Sequence, residues 1–209
     1  MNKKWTLSII SAIVGIVLLS GCSVEQGTEN DKERSNVSQQ LISLATGQAK
    51  FPLYKDLDEL ENTADTIVQV KFTGDRKIQN FEQNGIVIDS AAESEVKVKK
   101  VYKGNIEKGS TIVIYEPGFM KGEIYQNVDG YKNMNVKGNY ILFLKENPDN
   151  TFVGLGVYQG KFDLDITDPV KQVKLEMTKE EFESLDYVGE DPSHFNLLKE
   201  EVIQKYKNK

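Results

Sequence analysis

One cysteine, Cys22, and one histidine, His194, are all that these 209 residues hold of the two side chains most used for metal binding and nucleophilic chemistry. A single thiol leaves no partner for an intrachain disulfide and no set for a zinc cluster, so the fold must rest on an apolar core. A histidine-based triad needs positioned partners, and no motif supplies them for His194. There is no Gly-x-Ser-x-Gly elbow, no Walker loop and no zinc-ligand spacing, so nothing in the chain marks an enzyme or calls for a cofactor. Arginine is nearly missing as well, with only Arg34 and Arg76 among 26 basic residues. The 32 acidic residues outnumber the basic ones and leave a net charge of −6. An acidic surface argues against nucleic acid as a partner and against electrostatic adhesion to anionic lipid.

What is present begins at the amino terminus. Lys3 and Lys4 precede an apolar run from Ile9 to Leu19 that is short for a membrane span, and Leu19-Ser20-Gly21-Cys22 closes it. These residues resemble the signal and lipobox of bacterial lipoproteins. The resemblance implies cleavage between Gly21 and Cys22, a diacylglycerol on the Cys22 sulfur and attachment to the outer face of the cytoplasmic membrane. Removing Lys3 and Lys4 with the signal leaves 24 basic against 32 acidic residues, or −8, so the acyl chains must carry the membrane contact. The preference for lysine over arginine, with frequent Asn and Ile, resembles the usage of low-GC Gram-positive bacteria.

The length suits one domain on a tether: a signal over 1–21, a flexible polar tether over 22–50, a β-domain over 51–170 and a helical extension over 171–209. Residues 37–45 suggest a weak helical turn, and Leu57 and Leu60 a short helix leading into the first strand. That strand runs from Thr66 to Phe72 and stops at Gly74. Asn84-Gly85 is a strong turn signal before Ile86-Val87-Ile88, and the apolar phase slips near Lys99-Lys100, which indicates a bulge. Thr111–Tyr115 and Asn139–Leu144 are apolar on both faces, as central strands are. Asn147-Pro148-Asp149-Asn150 turns the second into a strand over 151–158. Phe162, Leu164 and Ile166 alternate with Asp163 and Asp165, giving a strand with an acidic outer face. Thr178-x-x-Glu181 is a capping box, and after Asp191-Pro192-Ser193 a helix carries Phe195, Leu198, Val202 and Tyr206 on one face.

Ala64-Asp65-Thr66-Ile67-Val68, Val98-x-x-Val101-Tyr102-Lys103-Gly104, Gly109-x-x-Ile112-x-Ile114 and Gly138-x-Tyr140-Ile141-Leu142-Phe143-Leu144 resemble a group of largely uncharacterised exported proteins of Gram-positive bacteria. Their order is similar to the OB-like barrel of netrin-like and metalloproteinase-inhibitor modules. The resemblance covers about residues 60–160. It implies a mainly β fold: an OB-like barrel of five to six strands, a short helix before it and one or two after. The inhibitor modules insert a free cysteine terminus at a metal, whereas Cys22 is committed to lipid, so that route is closed here.

The candidate functional residues follow from what remains. Asp163, Asp165 and Asp168 could be offered to calcium, but the first two alternate with core residues on a strand and no loop glycine matches the EF-hand pattern, so they read as a solvated strand face. Glu95, Glu116 and Glu123 are the carboxylates an envelope hydrolase would pair for acid–base work. The segment 118–137 is long for a connection between core strands and carries Phe119, Met120, Tyr125, Tyr131 and Met134. Such side chains either fold over an open barrel end or form an adaptable contact surface. The expected function is a lipid-anchored, non-catalytic binding module for an envelope protein or peptide, with a cell-envelope hydrolase as the alternative.

Overall fold

The computed structural model describes residues 40–208. The signal, with Gly21 and Cys22, and the tether up to residue 39 lie outside the described residues. Within them the chain is mainly β, and its longest helix closes the C-terminal end.

Helix α1 (Leu57–Thr63) opens on Asp56, whose carboxylate accepts the Glu59 amide at 2.9 Å, and turns Leu57 and Leu60 inward. Strands β2 (Thr66–Gln83) and β3 (Ile86–Lys103) form one long hairpin. Its turn places Asn84 and Gly85 at φ 54° and 75°, the two left-handed residues that a tight hairpin turn requires. The expected stop at Gly74 is instead a break in register between Phe72 and Arg76, beyond which β2 runs on as an exposed arm. The break is local because cross-strand pairing resumes at Arg76 and Ser94, so one glycine does not end the ladder. The expected bulge is present: Gln69 pairs with Lys100 and Val70 with Val98, so Lys99 has no opposite residue.

Strand β4 (Thr111–Glu116) pairs with β3, β7 (Tyr140–Glu146) pairs with β2, and β8 (Phe152–Gly154) lies between β4 and β7. These pairings close β2, β3, β4, β8 and β7 into a five-stranded ring. Strand β9 (Lys161–Asp163) pairs with the part of β7 that β8 leaves free. The strand expected over 151–158 is shorter than its apolar content suggests, because a 3-10 turn at Val157–Gly160 follows β8.

The ring explains why two strands are apolar on both faces. Val68, Val70, Val96, Val98, Ile114, Leu142, Leu144 and Phe152 fill its interior from all five strands. The alternate residues Ile67, Ile141 and Phe143 face outward, where α1 and α3 (Ser193–Tyr206) cover them with Leu60, Phe195, Leu198 and Val202. The expected helical face of Phe195, Leu198, Val202 and Tyr206 is buried throughout. Truncating a wholly buried leucine such as Leu198 costs about 2–5 kcal/mol.

A second sheet sits beyond the ring. Its order is β10 (Glu176–Thr178), β1 (Leu41–Gly47), β6 (Ile124–Val128) and β5 (Gly118–Lys121). Two sequence expectations change here. Residues 41–47 are a strand rather than a helical turn or the end of a tether, held antiparallel to β10 and parallel to β6. Ile42 is its one buried side chain, so the strand exists through pairing with residues far along the chain, which no local pattern announces. Residues 118–128 are a β5–β6 hairpin rather than a loop. Helix α2 (Lys179–Glu183) starts on the expected capping box of Thr178 and Glu181 and sets Phe182 against Tyr125.

Candidate functional site

Three buried charged clusters lie around the segment that joins β6 to β7. In the first, Lys161 of β9 and Lys199 of α3 both donate to the carboxylate of Asp186, which also accepts the Asp163 amide at 2.7 Å. All three side chains are buried. Burial pulls the Asp186 carboxyl up, but the charges and hydrogen bonds of Lys161 and Lys199 outweigh it and hold the group well below the carboxylate range. Lys199 completes its shell on the Asp163 carbonyl.

In the second cluster Glu116, at the end of β4, is wholly buried. Its Oε2 accepts from Arg76 at 2.6 Å and Ser94 at 2.5 Å, and its Oε1 from the Met134 amide at 2.8 Å and the Tyr131 hydroxyl at 3.0 Å. Arg76 also donates to Ser94 at 2.8 Å and to the Met134 carbonyl at 2.7 Å, and its guanidinium stacks 4.2 Å from the Phe72 ring. The carboxylate's acceptor capacity is therefore spent. Burial, reinforced by the Glu116 charge, raises the Tyr125 and Tyr131 hydroxyls well above the usual phenol range, so both stay neutral donors.

The third feature is Lys132, only 3% exposed. Its ammonium lies 4.2 Å from the Phe182 ring and reaches the Asn133 carbonyl at 3.4 Å, near the outer limit of a hydrogen bond. Among the described residues it makes no ion pair with a carboxylate. Burial lowers its pKa to about 8, against the opposing pull of Glu183. Lys132 lies at a groove of about 440 Å³ between the base of the arm, β5 and α2. Phe72, Ile78, Phe119, Met120, Val136 and Phe182 give the groove apolar walls, while Arg76, Asn133, Asn135 and Glu183 add polar groups.

The structure thus divides the five residues proposed on the 118–137 segment. Phe119 and Met120 stand on β5 at the groove, with Met120 42% exposed. Tyr125, Tyr131 and Met134 are buried; Tyr125 and Met134 still line the groove, and Met134 also packs against the residues that fill the ring. Tyr125 supports the groove from below, its hydroxyl bonded to Asn133 and to the Tyr131 carbonyl. Gly118 makes room for this contact, since a Cβ there would fall on the Tyr125 hydroxyl and 2.7 Å from Asn133 Oδ1.

The other candidates do not assemble. Asp163 is not on a solvated face: β9 is buried at all three residues, and the Asp163 carboxylate accepts the Asn139 and Asp165 amides at 3.0 Å. Asp165 and Asp168 are exposed. Among the described residues no group of three His, Cys, Asp or Glu side chains is placed to hold a metal ion. Glu95 alternates with Ser94 on β3 and so points away from Glu116, and Glu123 is exposed in the β5–β6 turn. His194 bridges the Tyr158 hydroxyl at 3.0 Å and the Tyr54 carbonyl at 2.9 Å, tying α3 to the segment before α1.

Sequence reasoning missed Arg76, Lys132, Lys161, Asp186 and Lys199. Arg76 did carry a signal: a single arginine on a strand in a lysine-rich chain suggests a forked partner such as a buried carboxylate. The lysines carried none, because lysine is ordinarily a surface residue. No described helix is long and apolar enough to cross a membrane. No family model matches the chain, and no curated protein or solved structure matches it either.

Proposed function

We propose that the chain is a lipid-anchored binding module on the extracytoplasmic face of the cell membrane, acting without catalysis through the groove at Lys132. Its partner is an envelope protein or a peptide, with no part for nucleic acid or a cofactor. Anchoring rests on the signal and lipobox ending at Gly21 and Cys22. Two acyl chains on Cys22, at about 0.8 kcal/mol per buried CH₂, hold a protein at a bilayer far longer than one. The scaffold reading is an OB-like barrel. A five-stranded ring closed by the β2–β7 pairing, with a bulged hairpin bending around it, supports that reading.

The observation that carries the binding reading is the pairing of an apolar groove with a buried ammonium that makes no ion pair among the described residues. Ligand sites combine mostly apolar walls with a few convergent polar groups and are usually preformed. The hydrolase alternative needs two available carboxylates in one cleft, and Glu116 is consumed by Arg76, Ser94, Tyr131 and Met134.

Crosslinking on intact cells followed by purification under denaturing conditions tests the reading. It predicts recovery of an extracytoplasmic partner, and a Cys22→Ala form that carries no acyl mass. An acylated Cys22→Ala form, or a crosslinked partner that is cytoplasmic, would overturn it.

A further inference from the structure

We propose that the groove at Lys132 receives the free carboxyl terminus of an apolar peptide, the carboxylate pairing with the Lys132 ammonium and the last side chain lying between Ile78, Phe119, Met120 and Val136. The inference deepens the binding reading above and rests on it.

Protein interiors pair the ions they bury. Glu116 serves Arg76, while Asp186, with the buried Asp163 beside it, balances Lys161 and Lys199. Among the described residues Lys132 is the buried cation without an ion pair, and its ammonium brings three donors to a site where one long hydrogen bond uses one of them. An added carboxylate supplies the missing charge and acceptors for the remaining donors. It fits better than a phosphate monoester, because Glu183 on the groove wall repels a second negative charge. Arg76 and Lys161 do not compete for the ligand, since each already holds its own carboxylate.

The rest of the groove favours a peptide over a fatty acid. Asn135 lines it and spends its side-chain oxygen on the Lys137 and Gly138 amides at 2.9 Å and 3.0 Å. Its amide NH₂ has no partner among the described residues and offers a donor for a peptide carbonyl. A hydrocarbon chain has nothing to place there. The apolar walls then ask for a large apolar last residue.

The test is calorimetric titration of the full chain in lipid nanodiscs with a pool of acetylated tetrapeptides ending in Leu, Ile, Met or Phe. The same pool as C-terminal amides and decanoate serve as the comparison arms. The free acids should bind, and the amides should bind about 30-fold more weakly or worse, as loss of one partner of a desolvated charge pair requires. Lys132→Met should remove the difference between the acids and the amides. Met120→Glu, at an exposed rim position, should weaken the acids at least about tenfold by like-charge repulsion. Equal binding of acids and amides, no binding of either, or an unaffected Lys132→Met would overturn the proposal. Decanoate binding without peptide binding would overturn it in favour of a lipid acid. If Lys132→Met cells still yield the same crosslinked partner, this inference fails and the binding reading stands. If wild-type cells yield none, the reading itself fails.

Discussion

Replacing Lys132 by methionine should stabilise the protein at neutral pH, although it removes a buried side chain's hydrogen bond and its charge. The reason lies in the proton balance. An unfolded lysine keeps its proton up to its ordinary pKa of 10.5, whereas burial lets Lys132 release it at about 8. Between those values the unfolded chain binds more protons than the folded one, so wild-type stability rises with pH across this window. Below pH 8 the cost of burying the charge is present in full, and it disappears as pH rises toward 10.5. At about 1.4 kcal/mol per pKa unit the full cost is about 3.5 kcal/mol. Glu183, Asp186 and Glu116 oppose it and Lys161 adds to it, so the value already includes the groups facing the amine. Methionine keeps the stem packed against Phe182 and carries no charge. Urea unfolding of both proteins at pH 7, 8, 9 and 10 should show the variant ahead by about 1–3 kcal/mol at pH 7. The difference should move by about 2.5 kcal/mol in favour of the wild type between pH 7 and pH 10. The buried tyrosines affect both proteins alike and cancel in the difference. A difference that does not change with pH would refute the claim that this ammonium lacks a counter-ion.

The other charged clusters should respond in a definite order. Asp186→Asn leaves two buried ammoniums facing each other and should cost about 3–5 kcal/mol in urea unfolding. In the wild type the contribution of Asp186 is present above the ordinary aspartate range and should fade as pH drops below it, since its folded pKa is depressed. Glu116→Gln should cost less, about 2–3 kcal/mol, because the Arg76 side chain is 24% exposed and can recruit water. The reverse order would mean the two clusters differ in burial from what is described above. Gly118→Ala should lower stability by about 1–3 kcal/mol and weaken the groove, because the new Cβ displaces the Tyr125 hydroxyl from Asn133. An unchanged melting temperature would show that the contact at Gly118 is not tight.

The fold was legible where local chemistry decides it. Asn84-Gly85 could hardly be other than a hairpin turn, Thr178 and Glu181 form their capping box, and the four apolar residues of α3 share a face. The slip in phase at Lys99 showed as a bulge because side chains alternate along a strand and any extra residue breaks the alternation. The sequence failed where a distant partner decides. Leu41–Gly47 becomes a strand because β6 and β10 flank it, and Gly74 fails to end β2 because β3 carries the pairing past it. The candidate site was half legible. Phe119 and Met120 stood out as apolar residues in a long connection, but the charge beside them did not. Lys132 resembles any surface lysine in sequence, and it makes no ion pair among the described residues because Glu116 and Asp186 are engaged elsewhere.

A photoreactive phenylalanine analogue at Met120, on the exposed rim of the groove, tests the account most directly when activated on intact cells. The account predicts adducts at the last residues of extracytoplasmic peptides or proteins, lost when Lys132 is methionine. Adducts to cytoplasmic proteins, or adducts indifferent to residue 132, would contradict it.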